Sequence, residues 1–363
     1  MAAEIPQFPN EVQINLTKAQ DLRYGENPHQ KGAIYFEKGT NSPLKNLQLL
    51  AGRESSLVNV TDVNAGVSVV RLFEEPSAVV IKHNNPCGIA LGEDGFQALT
   101  RAIDADSESA FGGIIVLNRP LDEKVTEAIT AFKDERRGNI DVVAAPTVTD
   151  EALAILKKTR KSMAVYQFGQ IPQQASDLDY KRIDGGFIVQ EADQDIEGGF
   201  ESWRVATEVQ PTEEQMAQMK IAWKFITRIK SNSVIVVDSD LPMTRGIGTG
   251  QTSRVRATDI ALRQASNLEF PLYKLLEGLD KKALEQIRDN MQKEVKGPDN
   301  HARGAILASD SFFPFPDSVE KAALYKIGAK VQQGGSLNDQ ASIDAANRAG
   351  IPMVMTGRRA FWH

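Results

Sequence analysis

Short and almost wholly apolar runs recur along this chain, alternating with stretches whose apolar residues fall at helical spacing. Ala78-Val79-Val80-Ile81, Ile114-Ile115-Val116-Leu117, Asp141 to Ala145, Ser233 to Asp238 and Met353-Val354-Met355 have strand length. Lys330 to Gln332 is a further short strand. The helical stretches are Asn64 to Glu74 (packing through Val67, Val70 and Leu72), Gly95 to Asp104, 121–133, and Asp150 to Thr159 with Leu153 and Leu156 on one face. Pro211 to Lys230, with Thr212 as N-cap and Glu214 in the first turn, residues 254–265, Val319 to Gly328 and Asp339–Ala349 continue the series. Strands alternating with helices place the chain in the α/β class.

A chain of 363 residues has room for two domains, or three small ones. The pattern loosens over 180–205, around Gly185-Gly186 and Gly198-Gly199, so the boundary is expected near residue 200. This gives units 1–200 and 201–363, the second with a charged helical insert at about 270–300.

Composition excludes several classes. The net charge is -6 and no Lys/Arg block is long enough for a nucleic-acid footprint. No run approaches the length of a membrane span, and the first residues lack the basic and apolar regions of a secretory signal. The one cysteine, Cys87, rules out an internal disulfide and a multi-cysteine zinc site. A reducing cytoplasm is the expected compartment.

Chemistry concentrates where the first apolar run ends, at Lys82-His83-Asn84-Asn85-Pro86-Cys87-Gly88. Here Asn-Asn-Pro-Cys-Gly reads as a loop, putting an amine and an imidazole side by side at the carboxyl end of a strand, where α/β sheets bind ligands. The pair suits proton transfer. Taken alone, such a dipeptide is more often a surface lysine beside a core histidine. Other polar or glycine-rich segments are the loop Arg23 to Gln30, Phe111-Gly112-Gly113 and the run Gly246 to Arg254. The last invites a phosphate reading but lacks the Walker lysine and the dinucleotide spacing. Ser309 to Asp317 carries three Phe and two Pro, as a core plug or as a clamp for a flat ring. The tail Arg358-Arg359-Ala360-Phe361-Trp362-His363 is unlike a frayed end.

Taken together, these blocks resemble the aminoimidazole carboxamide ribonucleotide (AICAR) transformylases, the formyl-transfer half of a bifunctional purine-synthesis enzyme. Leu22 to Gln30, Lys82-His83 with Asn85 to Gly88, Ser109 to Gly113, Lys230 to Ser233, Gly246 to Arg254, Ser309 to Phe315 and Gly334-Gly335-Ser336 match in order, from about residue 20 to the last. The resemblance implies two tandem cytidine-deaminase-like three-layer units with mixed sheets and no zinc, and an intertwined homodimer with active sites at the interface. It implies formyl transfer from 10-formyltetrahydrofolate to the 5-amino group of AICAR. By resemblance His83 is the base, Lys82 the proton donor and Asn232 the holder of the formyl oxygen. Arg23, Tyr24 and Arg359 fall to the AICAR phosphate; Asn59, Phe111, Gly112, Phe312 and Phe361 to its base and ribose. Arg254, Phe315, Asp317 and Ser336 fall to the folate. Members also carry a monovalent cation near Asp310, for which the residues alone give no support.

Two departures stand out. The family's IMP cyclohydrolase domain does not precede the Arg-Tyr-Gly block, so ring closure is expected from a separate protein. Pro316 stands where members have Arg. Competing readings are a non-catalytic AICAR or folate binder, a deaminase-like hydrolase, which one cysteine cannot supply with metal ligands, and a structural α/β protein.

Overall fold

The computed structural model describes residues 8–136, 138–172, 178–266 and 300–363. The chain enters through a hairpin, β1 (Leu16–Leu22) and β2 (Gly32–Glu37), which among the described residues pairs only with itself. Next come β3 (Gln48–Ala51), α1 (Leu57–Val70), β4 (Ser77–Lys82), β5 (Asn85–Leu91), α2 (Gly95–Ala105), β6 (Gly113–Leu117), α3 (Glu123–Arg136), β7 (Ile140–Ala145), α4 (Asp150–Thr159) and β8 (Ala164–Gln167). A second self-paired hairpin follows, β9 (Leu178–Ile183) and β10 (Gly186–Glu191), where the sequence pattern suggested only loosening. The remaining elements are β11 (Arg204–Val205), α5 (Glu213–Ile226), β12 (Val234–Val237), β13 (Thr244–Gly248), α6 (Arg254–Ala265), β14 (Ile306–Ser309), α7 (Asp317–Leu324), β15 (Ala329–Gln332), α8 (Asp339–Ala349) and β16 (Met353–Met355). The insert expected at about 270–300 lies almost wholly outside the described residues.

Two six-stranded sheets result, ordered β3-β8-β7-β6-β4-β5 and β11-β16-β15-β14-β12-β13. The second repeats the first strand for strand. In each, the three strands β6-β7-β8 or β14-β15-β16 are parallel and the rest antiparallel. The sheets are mixed and the class is α/β, as the sequence pattern and the resemblance led one to expect.

Alternation along the strands sorts the cores. Val79 and Ile81 of β4 join α1 on one face, and Ala78 and Val80 join α2 and α3 on the other. The α1 cluster is continuous with α5 and the inner face of the second sheet, through Phe225, Ile235 and Val331. The two inner helix layers thus share one core; Phe73 meets Phe225 edge-on with ring centroids 5.4 Å apart.

Local signals set several boundaries. The Thr212 side chain accepts from the Gln215 N–H and begins α5 two residues later than Pro211. The Ser56–Asn59 capping box starts α1 well before Asn64. Gly350 closes α8 at φ 68°.

The expected loop after Lys82 is a correction. Asn85 onward returns as β5, and Pro86 is tolerated because β5 is an edge strand. The glycines of the 246–254 run also have a plainer use. A Cβ on Gly246 would lie 1.9 Å from the Ala261 carbonyl oxygen, and one on Gly248 1.9 Å from that of Ala257. They let α6 lie directly on β13. Gly88 does the same for α2 on β5, where a Cβ would lie 2.1 Å from the Ala102 oxygen. The Phe-rich segment divides: Phe313 is fully buried, Phe312 half-buried and Phe315 exposed.

One core residue opposes the fold. Lys330 on β15 is fully buried, its Nζ has no hydrogen-bond partner among the described residues, and it sits 3.5 Å from the Phe313 ring centroid. Burial pushes its pKa well below 10.5, with Asp317 pulling weakly the other way.

Gly248→Ala drives a methyl into backbone and is expected to cost about 2 kcal/mol or more, read as a lower denaturant midpoint. Below its unfolded pKa of 10.5, the Lys330 side chain takes up a proton on unfolding that the folded chain does not hold, so stability rises with pH between the folded pKa and 10.5. Lys330→Met is expected to stabilise by about 1 kcal/mol or more at pH 7. It should also flatten this part of the pH dependence, as measured by unfolding at pH 7 and pH 10.

Candidate active site

The two sheets meet along their edge strands. Leu91 N–H donates to the Pro242 carbonyl, Ile89 N–H to Thr244 Oγ1, and Ala90 forms an antiparallel bridge with Met243. This seam covers both sheet edges and fixes what lies at its far end. There β4 turns into β5, and Thr249 to Gln251 run on from β13.

Lys82 and Asn85 pair across the β4–β5 hairpin, leaving His83-Asn84 as a two-residue turn. Both residues have positive φ, 55° and 58°, the backbone of a type I′ turn. Without glycine this costs about 1 kcal/mol or more per residue, although His and Asn bear it better than most. The turn is held from below by α1. Asn84 N–H donates to Asp62 Oδ1 at 2.7 Å, a charge-assisted bond of about 1.5–3 kcal/mol that offsets the strain. Burial raises the Asp62 pKa, and the N–H groups of Asn84 and His83 pull it back. The Lys82 ammonium donates to the Phe111 carbonyl at 2.8 Å, and Gly112 follows at φ 74°. His83 is exposed and Lys82 half-buried.

A cleft of about 270 Å³ opens here, walled by Lys82, His83 and Cys87 on one side and by Ile247, Thr249 and Gln264 on the other. The Cys87 thiol is pushed up to about 12 by burial, so it stays protonated and inert at neutral pH. Thr249 Oγ1 bridges the seam, lying 3.0 Å from Asn85 Oδ1 and 3.1 Å from the Lys230 carbonyl.

Beside it, the Ser231–Asn232 peptide is cis, and Asn232 exchanges backbone hydrogen bonds with Gln251. The Asn232 amide donates one N–H to the Gln251 carbonyl (2.9 Å), while its oxygen accepts from Arg254 (2.6 Å). One Asn232 N–H is left for a ligand. Arg254 also binds Ser309 Oγ and the fully buried Asp310, whose carboxylate further accepts from Ser231 Oγ and Ser233 N–H. Both oxygens of the Asp310 carboxylate are thus engaged by protein donors.

The tail docks here as well. Ala360 N–H donates to the Asp310 carbonyl and Ser231 N–H to that of Trp362. Arg359 lies 4.3 Å and Arg254 5.9 Å from the Phe361 ring centroid. The loop bearing Ser336 touches that bearing Phe312, Phe315 and Asp317, through Asn338 Nδ2 to the Pro314 carbonyl at 3.0 Å. Arg23 and Tyr24 bond each other (2.8 Å) and dock by backbone at the start of α1, where the Asn59 side chain is part of the capping box.

The candidate residues therefore fall into linked groups. Asn232, Arg254, Arg359 and Phe361 gather around the ends of β14, β15 and β16, the carboxyl ends of the second sheet's parallel strands. Lys82 and His83 do not obey that rule: β4 is antiparallel to β6, so their turn lies at the amino ends of β6 to β8. The opposite end of the first sheet holds a larger crevice of about 730 Å³, lined by Arg71, Asn118, Pro146 and Lys224, without an acid–base pair at a turn. None of the candidate residues lines it, whereas Lys82 and His83 line the smaller cleft. Sequence reading passed over Asp62, Asn85 and Thr249, whose polar partners lie 22 and 164 residues away. Among the described residues no group of three or more His, Cys, Asp or Glu side chains is placed to hold a metal, and no helix is long and apolar enough to cross a membrane.

Comparison with known proteins identifies the family of this chain. Residues 1–264 match the family model described as AICARFT/IMPCHase bienzyme. The chain is 36% identical over 98% of its length to the bifunctional purine biosynthesis protein PurH of Thermoanaerobacter sp.. It is 38% identical over its whole length to that of Sorangium cellulosum, and 40% over 98% to that of Cyanothece sp.. It spans 61–62% of the length of these relatives. The chain belongs to the AICARFT/IMPCHase bienzyme family.

Proposed function

We propose that this chain catalyses formyl transfer from 10-formyltetrahydrofolate to the 5-amino group of AICAR, a step of purine biosynthesis. The observation that carries the reading is the Lys82-His83 turn linked through Asn85, Thr249 and Gln251 to the segment bearing Asn232, along one seam, inside a chain of this family.

The AICAR amine is conjugated with its ring and carboxamide, so it is a weak nucleophile. His83, exposed at the turn, takes the amine proton as nitrogen bonds to the formyl carbon, with the substrate carboxamide assisting. The free Asn232 N–H holds the formyl oxygen as it gains charge. Lys82 donates a proton to folate N10 as the carbon–nitrogen bond breaks, and its bond to the Phe111 carbonyl keeps it aimed. Products are FAICAR and tetrahydrofolate. Arg254 acts through Asn232, orienting its amide from behind.

Arg23, Tyr24 and Arg359 are assigned to the phosphate, for which the arginine forks are suited. Asn59, Phe111, Gly112, Phe312 and Phe361 frame base and ribose, and exposed Phe315 with Asp317 and Ser336 frames the folate. Pro316 removes one charge from that folate wall. A homodimer is part of the proposal. Among the described residues the strands of the hairpins β1–β2 and β9–β10 pair only with each other, and they expose Leu16, Tyr35, Ile183, Phe187 and Ile188, an arrangement suited to packing on a second copy. Cyclohydrolase activity is assigned to sequence outside these 363 residues.

Lys82→Ala and His83→Ala are each expected to lower kcat for FAICAR formation by about 10²–10⁴-fold, while AICAR still binds by calorimetry. Near-parental turnover in both variants contradicts the assignment.

A further inference from the structure

Helix α1 carries a buried acid that this mechanism does not use. Asp62 is 3% exposed and lies one helical turn beyond Asn59, on the same face. Its Oδ1 accepts the Asn84 N–H, and the His83 N–H is turned toward it as well. The Asn84 carboxamide nitrogen, in the orientation that satisfies both partners, reaches the Thr61 carbonyl (3.0 Å) and the same Asp62 oxygen (3.1 Å). The Asn84 N–H and carboxamide of a glycine-free turn thus meet one carboxylate, with the His83 N–H on the same side. A turn of this type usually relies on Asn-Gly or Asp-Gly, whose backbone reaches positive φ without strain. His83-Asn84 lacks that freedom and needs an external acceptor to stay in place.

We propose that Asp62 is the positioning residue of the acid–base turn: it clamps the His83-Asn84 backbone so that the imidazole and the Lys82 amine stay aimed into the cleft. The proposal rests on the formyl-transfer reading for its kinetic consequence, and on the hairpin geometry for its structural one. Asp62 touches no reacting atom. It also joins two functions on one helix, because α1 presents Asn59 to the nucleotide side and Asp62 to the catalytic turn. AICAR placement and turn placement therefore share one rigid element.

The test compares Asp62→Ala, which removes the acceptor, with Asp62→Asn, which keeps an acceptor oxygen and removes the charge. Asp62→Ala is expected to lower kcat about 100-fold with KM for both substrates changed less than about threefold, as misplacement of a catalytic group does. Asp62→Asn should stay within about tenfold of the parent kcat. Amide hydrogen exchange gives a readout independent of turnover: the Asn84 N–H should be protected in the parent and in Asp62→Asn, and exchange at least about tenfold faster in Asp62→Ala. A merely structural role would lower stability and active fraction in both variants alike, without this split.

Parental kcat and Asn84 protection in Asp62→Ala would overturn the proposal, and so would an Asp62→Asn variant as impaired as Asp62→Ala. If Asp62→Ala does not fold, Asp62→Asn decides alone, by retained protection and turnover or by their loss. A parent without formyl transfer sinks the functional reading, and the exchange experiment still decides whether Asp62 holds the turn.

Discussion

The Asp310 carboxylate is the interaction on which the second half of the site depends. It is fully buried at the end of β14, where an uncompensated charge would cost several kcal/mol. Arg254 of α6, Ser231 and Ser233 compensate it from segments far apart in sequence. Its main-chain carbonyl takes the Ala360 N–H and so draws in the tail. Through Arg254 the same network sets the Asn232 amide. One buried charge thus orders a helix start, the approach to β12 and the last residues of the chain.

The first half of the site depends on a different buried acid, Asp62, and the halves meet only because the sheets join at their edges. The strand-for-strand repeat places β5 against β13, and glycines under α2 and α6 let both outer helices lie close to those edges. Thr249 spans the remaining gap to Asn85. The Lys82-His83 turn of one sheet and the Thr249 to Gln251 segment of the other, which holds Asn232, then lie along one seam. Neither sheet carries the full set of groups.

Much of this was legible in the sequence where the signal is local. Thr212 as N-cap with Glu214 in the first turn marks a helix start, and the apolar runs at Ala78 and Ile114 mark strands buried on both faces. Alternation of such runs with helices was enough for the α/β class. The Lys82-His83 pair was visible as chemistry, but its setting was misread: Asn-Asn-Pro suggests a loop, whereas an edge strand accepts Pro86 and the turn is only two residues long. The glycines before Arg254 invited a phosphate reading that their spacing did not support, and their real partner, the α6 backbone, is invisible to a linear reading. Asp62 gave no signal, and Asn85 and Thr249 stood only inside longer matching blocks without a role of their own, since an acid in a helix or a threonine after a strand acquires meaning only from a partner across the fold. Lys330 likewise looked like an ordinary strand residue until its burial was known.

The most direct test of the central claim is to follow FAICAR formation by the unmodified chain, with AICAR and 10-formyltetrahydrofolate in one arm and AICAR, formate and ATP in the other. The account predicts FAICAR in the folate arm, with tetrahydrofolate released in equal amount, and none from formate and ATP. Absence of product in the folate arm, or product only from formate and ATP, would contradict it.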